Sequence, residues 1–86
     1  MNIVLHRNFE KQYAKLRKQT KAHTKERLAL FLRDEFHPLL NNHPLRGKYV
    51  GYRSINITGD LRVLYRRGEQ DVRIFTFIDT HSNLYR

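Results

Sequence analysis

The strongest constraint on the fold is the alternation of apolar and polar residues on both sides of Thr58-Gly59-Asp60. If these three residues form a hairpin turn, one face of the paired strands carries Ile55, Ile57, Leu61, Val63 and Tyr65. The opposite face then carries Tyr52, Ser54, Asn56, Arg62, Leu64 and Arg66. A shift of the pairing by one residue would mix the two sets, because successive side chains of a strand point to opposite faces. The sequence therefore predicts an antiparallel hairpin with one covered face and one open face.

Two helices are predicted ahead of this hairpin. The first is marked by apolar residues at positions i, i+4 and i+7, which are Phe9, Tyr13 and Leu16. The second is expected to begin between Thr20 and Thr24. It ends at about His37, because Pro38 disfavours helical geometry in the residue before it. The apolar stripe of this second helix is expected to consist of Leu28, Phe31, Leu32 and Phe36.

Two further strands complete the pattern. Asn2–His6 is rich in β-branched residues, and Val72–Ile78 is strongly apolar. The segment 38–50 holds both prolines and is expected to be a loop. The sequence thus predicts a single α+β domain over residues 1–86. After an N-terminal strand, two helices pack on one face of a small, mainly antiparallel four-stranded sheet, and the other face is open.

The charge of the chain indicates what it binds. Its 17 lysines and arginines exceed its 8 acidic residues, which gives a formal net charge of +9. A folded domain this basic attracts polyanions, nucleic acid first among them, although an acidic protein would also fit. The absence of cysteine suits a reducing cytosol. With neither a signal peptide nor a membrane span apparent, we expect a cytoplasmic protein that has no membrane partner.

Several side chains could carry acid–base chemistry on a phosphate. His81 follows the last strand and is the best candidate, because histidine titrates near neutrality; the alternative is a histidine bonded to backbone. Arg62 is either a phosphate ligand or a solvated charge. Asp60 is either a functional carboxylate or a turn former. His43 is a loop histidine with or without a function, and Tyr85 either stacks on a base or fills the core.

An open, basic sheet face suits single-stranded RNA, whose phosphates bind arginine and whose bases stack on aromatic rings. An enzyme can cleave RNA without a metal by making the 2′-hydroxyl attack the adjacent phosphate. That reaction needs a base, a cation and an acid. The five histidines show no spacing typical of a metal site, so we expect neither a metal ion nor another cofactor.

Three motifs in a fixed order resemble a known family. They are His43-Pro44-Leu45-x-Gly47-x-x-x-Gly51-Tyr52-Arg53, Asp60-x-Arg62-x-x-Tyr65 and Thr80-His81-Ser82-x-Leu84-Tyr85. Together with the order of strands and helices, they resemble the RelE/ParE superfamily of bacterial toxins, and its YafQ branch in particular. The resemblance implies a toxin of a type II toxin–antitoxin system that cuts mRNA in the ribosomal A site. It also implies a cognate antitoxin as a partner.

The resemblance assigns roles to individual residues. His43 and Asp60 fall on active-site positions of the YafQ branch, and His81 falls on its most important catalytic histidine. Tyr85 falls on a C-terminal aromatic residue that is usually Phe. Arg62 matches an arginine that RelE-type members use on the scissile phosphate.

Two positions depart from the family. Asn56 stands where the YafQ branch often has a second histidine, and Leu61 stands where an aromatic residue can occur. An amide cannot exchange protons near neutral pH, so Asn56 is expected to orient the 2′-hydroxyl by hydrogen bonding. Arg53 and Lys48 are expected to bind the substrate, and one or the other to assist Arg62 at the phosphate.

The resemblance, together with these residues, implies a ribosome-dependent, metal-independent mRNA endoribonuclease. Asp60 or His43 is the expected base, and His81 is the expected acid. Two alternatives stay open. One is a ParE-like gyrase poison, although the ParE branch lacks a catalytic histidine at the position of His81. The other is a non-catalytic nucleic-acid-binding module, which the charge and Asn56 would support.

Overall fold

The computed structural model describes all 86 residues and forms one mixed sheet with two helices packed on one face. The strands are β1 (Asn2–Leu5), β2 (His43–Pro44), β3 (Arg53–Asn56), β4 (Leu61–Arg67) and β5 (Val72–Thr80). The helices are α1 (Arg7–Ala14), α2 (Lys18–Arg33) and α3 (His81–Leu84), with 3-10 segments at Pro38–Leu40 and Gly47–Tyr49. All three helices fall short of the length and apolarity of a membrane-spanning helix.

The strand order is β1-β5-β4-β3-β2. Only β1 and β5 run parallel, and every other neighbouring pair is antiparallel. The predicted α+β class is therefore confirmed, but the sheet has five strands rather than four. The additional strand, β2, lies in the predicted loop 38–50 and pairs His43 with Ser54. β5, which lies between β1 and β4, continues beyond the predicted end at Ile78 to Thr80.

The hairpin of β3 and β4 has the predicted register. Its pairs are Ser54–Leu64, Ile55–Val63 and Asn56–Arg62. The predicted apolar set is buried, with at most 6% exposure for Ile55, Ile57, Leu61, Val63 and Tyr65. These side chains form the core with Phe9 of α1, Phe31 of α2 and Phe75 of β5.

A histidine fixes the point at which β1 gives way to α1. β1 ends at Leu5, one residue earlier than predicted. The reason is that His6 caps α1: its Nδ1 atom accepts a hydrogen bond from the Asn8 N–H at 3.0 Å. This bond satisfies one of the N–H groups that lack a partner at a helix start, so His6 has a structural role.

Helix α2 begins earlier and ends earlier than predicted. It starts two residues before Thr20. Thr24 is not its cap but is fully buried, and its hydroxyl donates to the Thr20 carbonyl at 2.8 Å. The helix ends just before Asp34, whose carboxylate accepts a hydrogen bond from the Phe36 N–H at 3.2 Å and so supports the turn.

Only part of the predicted apolar stripe of α2 faces the sheet. Phe31 is fully buried and Leu28 packs against the core, whereas Leu32 and Phe36 are 50% and 53% exposed. Leu32 lies about 100° around the helix from Phe31, and Phe36 follows the helix end. The predicted stripe is therefore wrong at Leu32 and Phe36.

The carboxylate of Glu35 ties the end of α2 to the sheet. It accepts hydrogen bonds from the Tyr65 hydroxyl at 2.6 Å and from Arg73 Nε and Nη2 at 3.2 and 3.1 Å. Burial raises the pKa of Glu35, but the bonds from Arg73 and Tyr65 outweigh it and hold the pKa below the usual 4.5. Burial, together with the bond to Glu35, raises the pKa of Tyr65 to about 12.

We expect Glu35→Gln to lower the free energy of unfolding at pH 7 by about 3 kcal/mol, because it leaves Arg73 without its buried carboxylate. A carboxyl group whose pKa is lowered in the folded state stabilises that state above its unfolded pKa. This stabilisation is lost as the pH falls through the lowered value. Urea unfolding between pH 7 and pH 3 should therefore show a shallower acid dependence in the variant than in the wild type.

The matched control is Glu26→Gln, at an exposed position of α2, which should change the free energy of unfolding by less than about 0.5 kcal/mol. Equal stability of the Glu35 variant and the wild type at pH 7 would contradict the structural role of this carboxylate.

Candidate functional site

A row of polar side chains lies on the sheet face turned away from α1 and α2. Asn56, Arg62 and Asp79 are neighbours across β3, β4 and β5. Residues paired across a ladder point to the same face, and these three alternate with the buried residues of the core. We call this surface, defined by Asn56, Arg62 and Asp79, the site face. All three side chains are half-buried, so the row is accessible from solvent.

The site face is open, as predicted, at one end and is covered at the other. The covering group, which we call the aromatic cluster, consists of Tyr49, Tyr52, Phe77 and Tyr85. Tyr49 is its centre, with ring centroids of the other three at 5.6 to 6.3 Å. Leu64, opposite Phe77 in the sheet, is fully buried as a result. The open part of the face is therefore the end nearest the hairpin turn.

Helix α3 carries the predicted acid. Thr80 caps this helix by accepting a hydrogen bond from the Asn83 N–H at 3.1 Å. Tyr49 holds its other end, because the Tyr49 hydroxyl donates to the Leu84 carbonyl at 2.9 Å. The exposed His81 ring packs against Tyr85, with 4.8 Å between ring centroids. The imidazole is thus supported on one side and accessible on the other.

One backbone hydrogen bond joins the two sequence motifs that contain Asp60 and His81. The His81 N–H donates to the Asp60 carbonyl at 2.9 Å. Thr58 holds the hairpin turn, since its hydroxyl accepts from the N–H groups of Asp60 and Leu61 at 3.3 and 3.0 Å. The turn therefore does not depend on the Asp60 carboxylate, which is exposed beside the start of α3.

Arg62 presents a positive charge at the same place. Its guanidinium donates to the carbonyls of Thr58, Gly59 and Leu61 at 3.0, 3.1 and 3.2 Å, and it forms no salt bridge. Burial and the neighbouring Tyr49 raise the pKa of Tyr85, while the charge of Arg62 acts in the opposite direction. A cation held by carbonyls rather than by a carboxylate stays available to an anion.

Three other predicted site residues belong to different segments: His43 to β2, Lys48 to the 3-10 segment Gly47–Tyr49, and Asn56 to β3. His43 is exposed on β2 and pairs with Ser54, so β3 separates it from Arg62. The Lys48 ammonium lies over the Tyr49 ring, 5.1 Å from its centroid. Asn56 is next to Arg62, but its Oδ1 atom is buried without a hydrogen-bond partner. This acceptor is the one buried polar side-chain atom of the row that has no hydrogen-bond partner.

Arg53 does not belong to the site face, although it is predicted to assist Arg62 at the phosphate. It pairs with Tyr65, whose side chain is in the core, so it points to the helix side of the sheet. There its Nε donates to Asn42 Oδ1 at 2.8 Å, and its guanidinium lies 5.2 Å from the Phe36 centroid. The alternation that places Ile55 in the core already puts Arg53 on that face.

The prediction from sequence also missed two residues. Tyr49 is in a segment without periodicity, so nothing local indicates that its ring and hydroxyl organise the aromatic cluster and α3. Asp79 precedes the Thr80-His81 motif, and its carboxylate accepts hydrogen bonds from Gln12 of α1 and Asn83 of α3. Its place two residues after Phe77 on β5 was the available signal, because that alternation puts it on the site face.

The arrangement brings together an imidazole, a carboxylate, a guanidinium and an aromatic ring. They belong to His81, Asp60, Arg62 and Tyr85: His81 bonds to Asp60 and packs against Tyr85, and Arg62 bonds to Gly59 of the same turn. No three His, Asp or Glu side chains lie close enough together to form a metal site. The groups present suit proton transfer beside a phosphate that the guanidinium binds.

The fold is shared with solved structures of bacterial toxins. YafQ from E. coli is 21% identical, with a TM-score of 0.77 over 99% of this chain and 98% of that one. A YoeB/ParE toxin from Agrobacterium tumefaciens is 22% identical, with a TM-score of 0.77 over 94% of this chain and 99% of that one. The E. coli DinJ–YafQ toxin–antitoxin complex contains a chain that is 22% identical, with a TM-score of 0.74 over 99% and 97% of the two chains.

These likenesses define the class as a small α+β toxin fold. Residues 1–86 match the family described as the bacterial toxin of type II toxin–antitoxin systems, YafQ, and the chain belongs to that family. None of the curated protein sequences matches the chain. The resemblance stated from the three motifs is thus confirmed at the level of the family and the fold.

We expect Tyr49→Phe to loosen α3 while the sheet stays intact. The change removes the hydrogen bond to the Leu84 carbonyl, which is worth about 0.5–1.5 kcal/mol. Amide hydrogen exchange should quicken at Tyr85, whose N–H bonds to the His81 carbonyl, and stay slow in β4 and β5.

Tyr52→Phe is the matched control, because Tyr52 is in the same cluster and does not bond to α3. Equal exchange at Tyr85 in both variants would show that the Tyr49 hydroxyl does not hold this helix.

Proposed function

We propose that this toxin is an endoribonuclease that cuts mRNA on the ribosome without a metal ion. The observation that supports it most is the hydrogen bond from the His81 N–H to the Asp60 carbonyl, 2.9 Å long, beside the unpaired charge of Arg62. These residues come from separate motifs that lie 21 positions apart in the chain, and the fold brings them to one exposed place. A protein that only bound nucleic acid would not need an acid–base group there.

In the proposed reaction the 2′-hydroxyl oxygen attacks the adjacent phosphorus, and the bond from phosphorus to the 5′-oxygen breaks. Asp60 takes the proton of the 2′-hydroxyl, and His81 gives a proton to the leaving 5′-oxygen. Arg62 stabilises the charge on the phosphate oxygens, and Tyr85 stacks on a base. The products are a 2′,3′-cyclic phosphate and a free 5′-hydroxyl.

Asp60 is preferred over His43 as the base because of its place in the sheet. Asp60 is next to His81 through the backbone bond, whereas His43 is on the edge strand β2. We therefore propose that His43 and Lys48 contact RNA nucleotides away from the cleaved bond. Asn56 next to Arg62 supplies an amide that orients the 2′-hydroxyl.

We also propose a cognate antitoxin as the partner and the cytoplasm as the location. The solved DinJ–YafQ structure is a toxin–antitoxin complex of a similar chain. A formal net charge of +9 suits an acidic segment laid across the surface, since opposite charges steer association.

We expect His81→Gln to lower mRNA cleavage by about 10²–10⁴-fold, because a general acid contributes that much to a rate. His23→Gln, on the helix side, is the matched control and should cleave normally. Cleavage ends should be mapped on translated and untranslated mRNA for the wild type and both variants. Induced expression should arrest growth with the wild type and the His23 variant only.

Wild-type cleavage by a folded His81 variant would refute this assignment. Two other outcomes would select a different function. Gyrase-dependent DNA breaks with intact mRNA would indicate a ParE-like poison, and RNA binding without growth arrest would indicate a non-catalytic module.

The choice of base can be tested separately. We expect Asp60→Asn to lower the cleavage rate by about 10²-fold or more, and His43→Gln to lower it less than about tenfold. The measurement is the single-turnover cleavage rate on programmed ribosomes. A larger loss with the His43 variant would transfer the role of base to His43.

A further inference from the structure

The carboxylate of Asp79 uses both of its oxygens at the junction of β5 and α3. Oδ1 accepts hydrogen bonds from the Thr80 N–H at 2.8 Å and from Asn83 Nδ2 at 2.9 Å. Oδ2 accepts from Gln12 Nε2 of α1 at 3.2 Å. One side chain thus joins the strand, the helix that carries His81, and α1.

Gln12 is itself fixed to the edge of β5. β1 ends opposite Phe75, so the rest of this edge of β5 has no neighbouring strand. Side chains of α1 bond to the backbone groups that a neighbouring strand would otherwise pair with. Gln12 Oε1 accepts from the Ile78 N–H at 3.1 Å, and Asn8 Nδ2 donates to the Thr76 carbonyl at 3.0 Å. Because these bonds hold Gln12 in place, its Nε2 is a fixed donor for Asp79.

Asp79 is opposite Arg62 in the sheet, yet the two side chains form no salt bridge. Arg62 bonds to carbonyls of the hairpin turn, and Asp79 bonds to Gln12 and Asn83. The bonds that hold Asp79 therefore also keep its negative charge from neutralising Arg62. An unrestrained carboxylate at this position could pair with Arg62 and compete with a phosphate.

We propose that Asp79 is a positioning residue for His81, and that Gln12 couples α1 to the site through it; the catalytic part of this inference rests on the proposed endoribonuclease function. Asp79 acts at the first turn of α3, two residues before the imidazole. It sets the direction in which α3 leaves β5. A displacement of about 1 Å at a catalytic group can lower a rate about 10²-fold. Because His81 acts in the chemical step and not in substrate binding, loss of the Asp79 contacts should lower kcat and leave KM unchanged.

The test exchanges the two partners. Asp79→Asn keeps an acceptor for Thr80 and Asn83 but places an amide against Gln12 Nε2, and Gln12→Glu places two carboxylates against each other. In the double variant the amide at position 79 donates to the carboxylate at position 12. The second carboxylate oxygen still accepts from the Ile78 N–H. The double variant therefore restores the geometry while the two groups are exchanged.

We expect kcat for cleavage to fall about tenfold in Asp79→Asn and about 10²-fold in Gln12→Glu, with KM within about twofold of the wild type. The double variant should recover to within about threefold. Asp71→Asn, just before the start of β5 and at the opposite end of this strand from α3, is the control and should leave kcat unchanged. A double variant no faster than the product of the two single losses would overturn the proposal, as would a change in KM alone.

Amide exchange at Asn83 and Tyr85 gives a readout that needs no RNA. Both amides should exchange faster in the single variants and return towards the wild-type rate in the double variant. Unchanged exchange in all variants would overturn the positioning role. If the wild type cut no RNA while the exchange followed the expected pattern, the endoribonuclease proposal would fail and the link from α1 through Asp79 to α3 would stand.

Discussion

The pairing of β3 with β4 is the constraint on which the rest of the structure depends. A strand offers each side chain only two faces, and burial of Ile55, Val63 and Tyr65 selects a single register. That register places Arg62 on the site face and Arg53 with the helices. β5 extends the same division to the next strand, so the His81 that follows it emerges beside the hairpin turn.

A strongly basic protein needs to keep some of its positive charge unpaired if it is to bind phosphates. Here the acidic side chains nearest the sheet are bonded elsewhere. Glu35 is held by Arg73 and Tyr65 on the helix side, and Asp79 is held by Gln12 and Asn83 at the end of β5. Arg62 is left with carbonyl partners only. The bonds that hold Glu35 and Asp79 thus leave the charge of Arg62 available to an anion on the site face.

Much of the fold could be predicted because it depends on local patterns, and the failures have physical causes. The stripe of α2 was wrong at Leu32 because i, i+4 spacing from Leu28 does not determine where the centre of the buried face lies. β2 was missed because a pair of two residues is stabilised by its neighbour, not by its own sequence. The aromatic cluster was missed because the Tyr49 ring at its centre reaches the sheet from a 3-10 segment that has no periodicity.

The sequence by itself determined the α+β class, the hairpin register and the candidate residues His81, Asp60 and Arg62, since alternation, composition and motif order are local properties. The tertiary structure decided which of these side chains meet and what supports them. Tyr49 reaches Leu84 across 35 positions, and Gln12 reaches Asp79 across 67. Contacts between residues this far apart in the chain depend on how helices and loops pack against the sheet, and the periodicity of the sequence does not predict that packing.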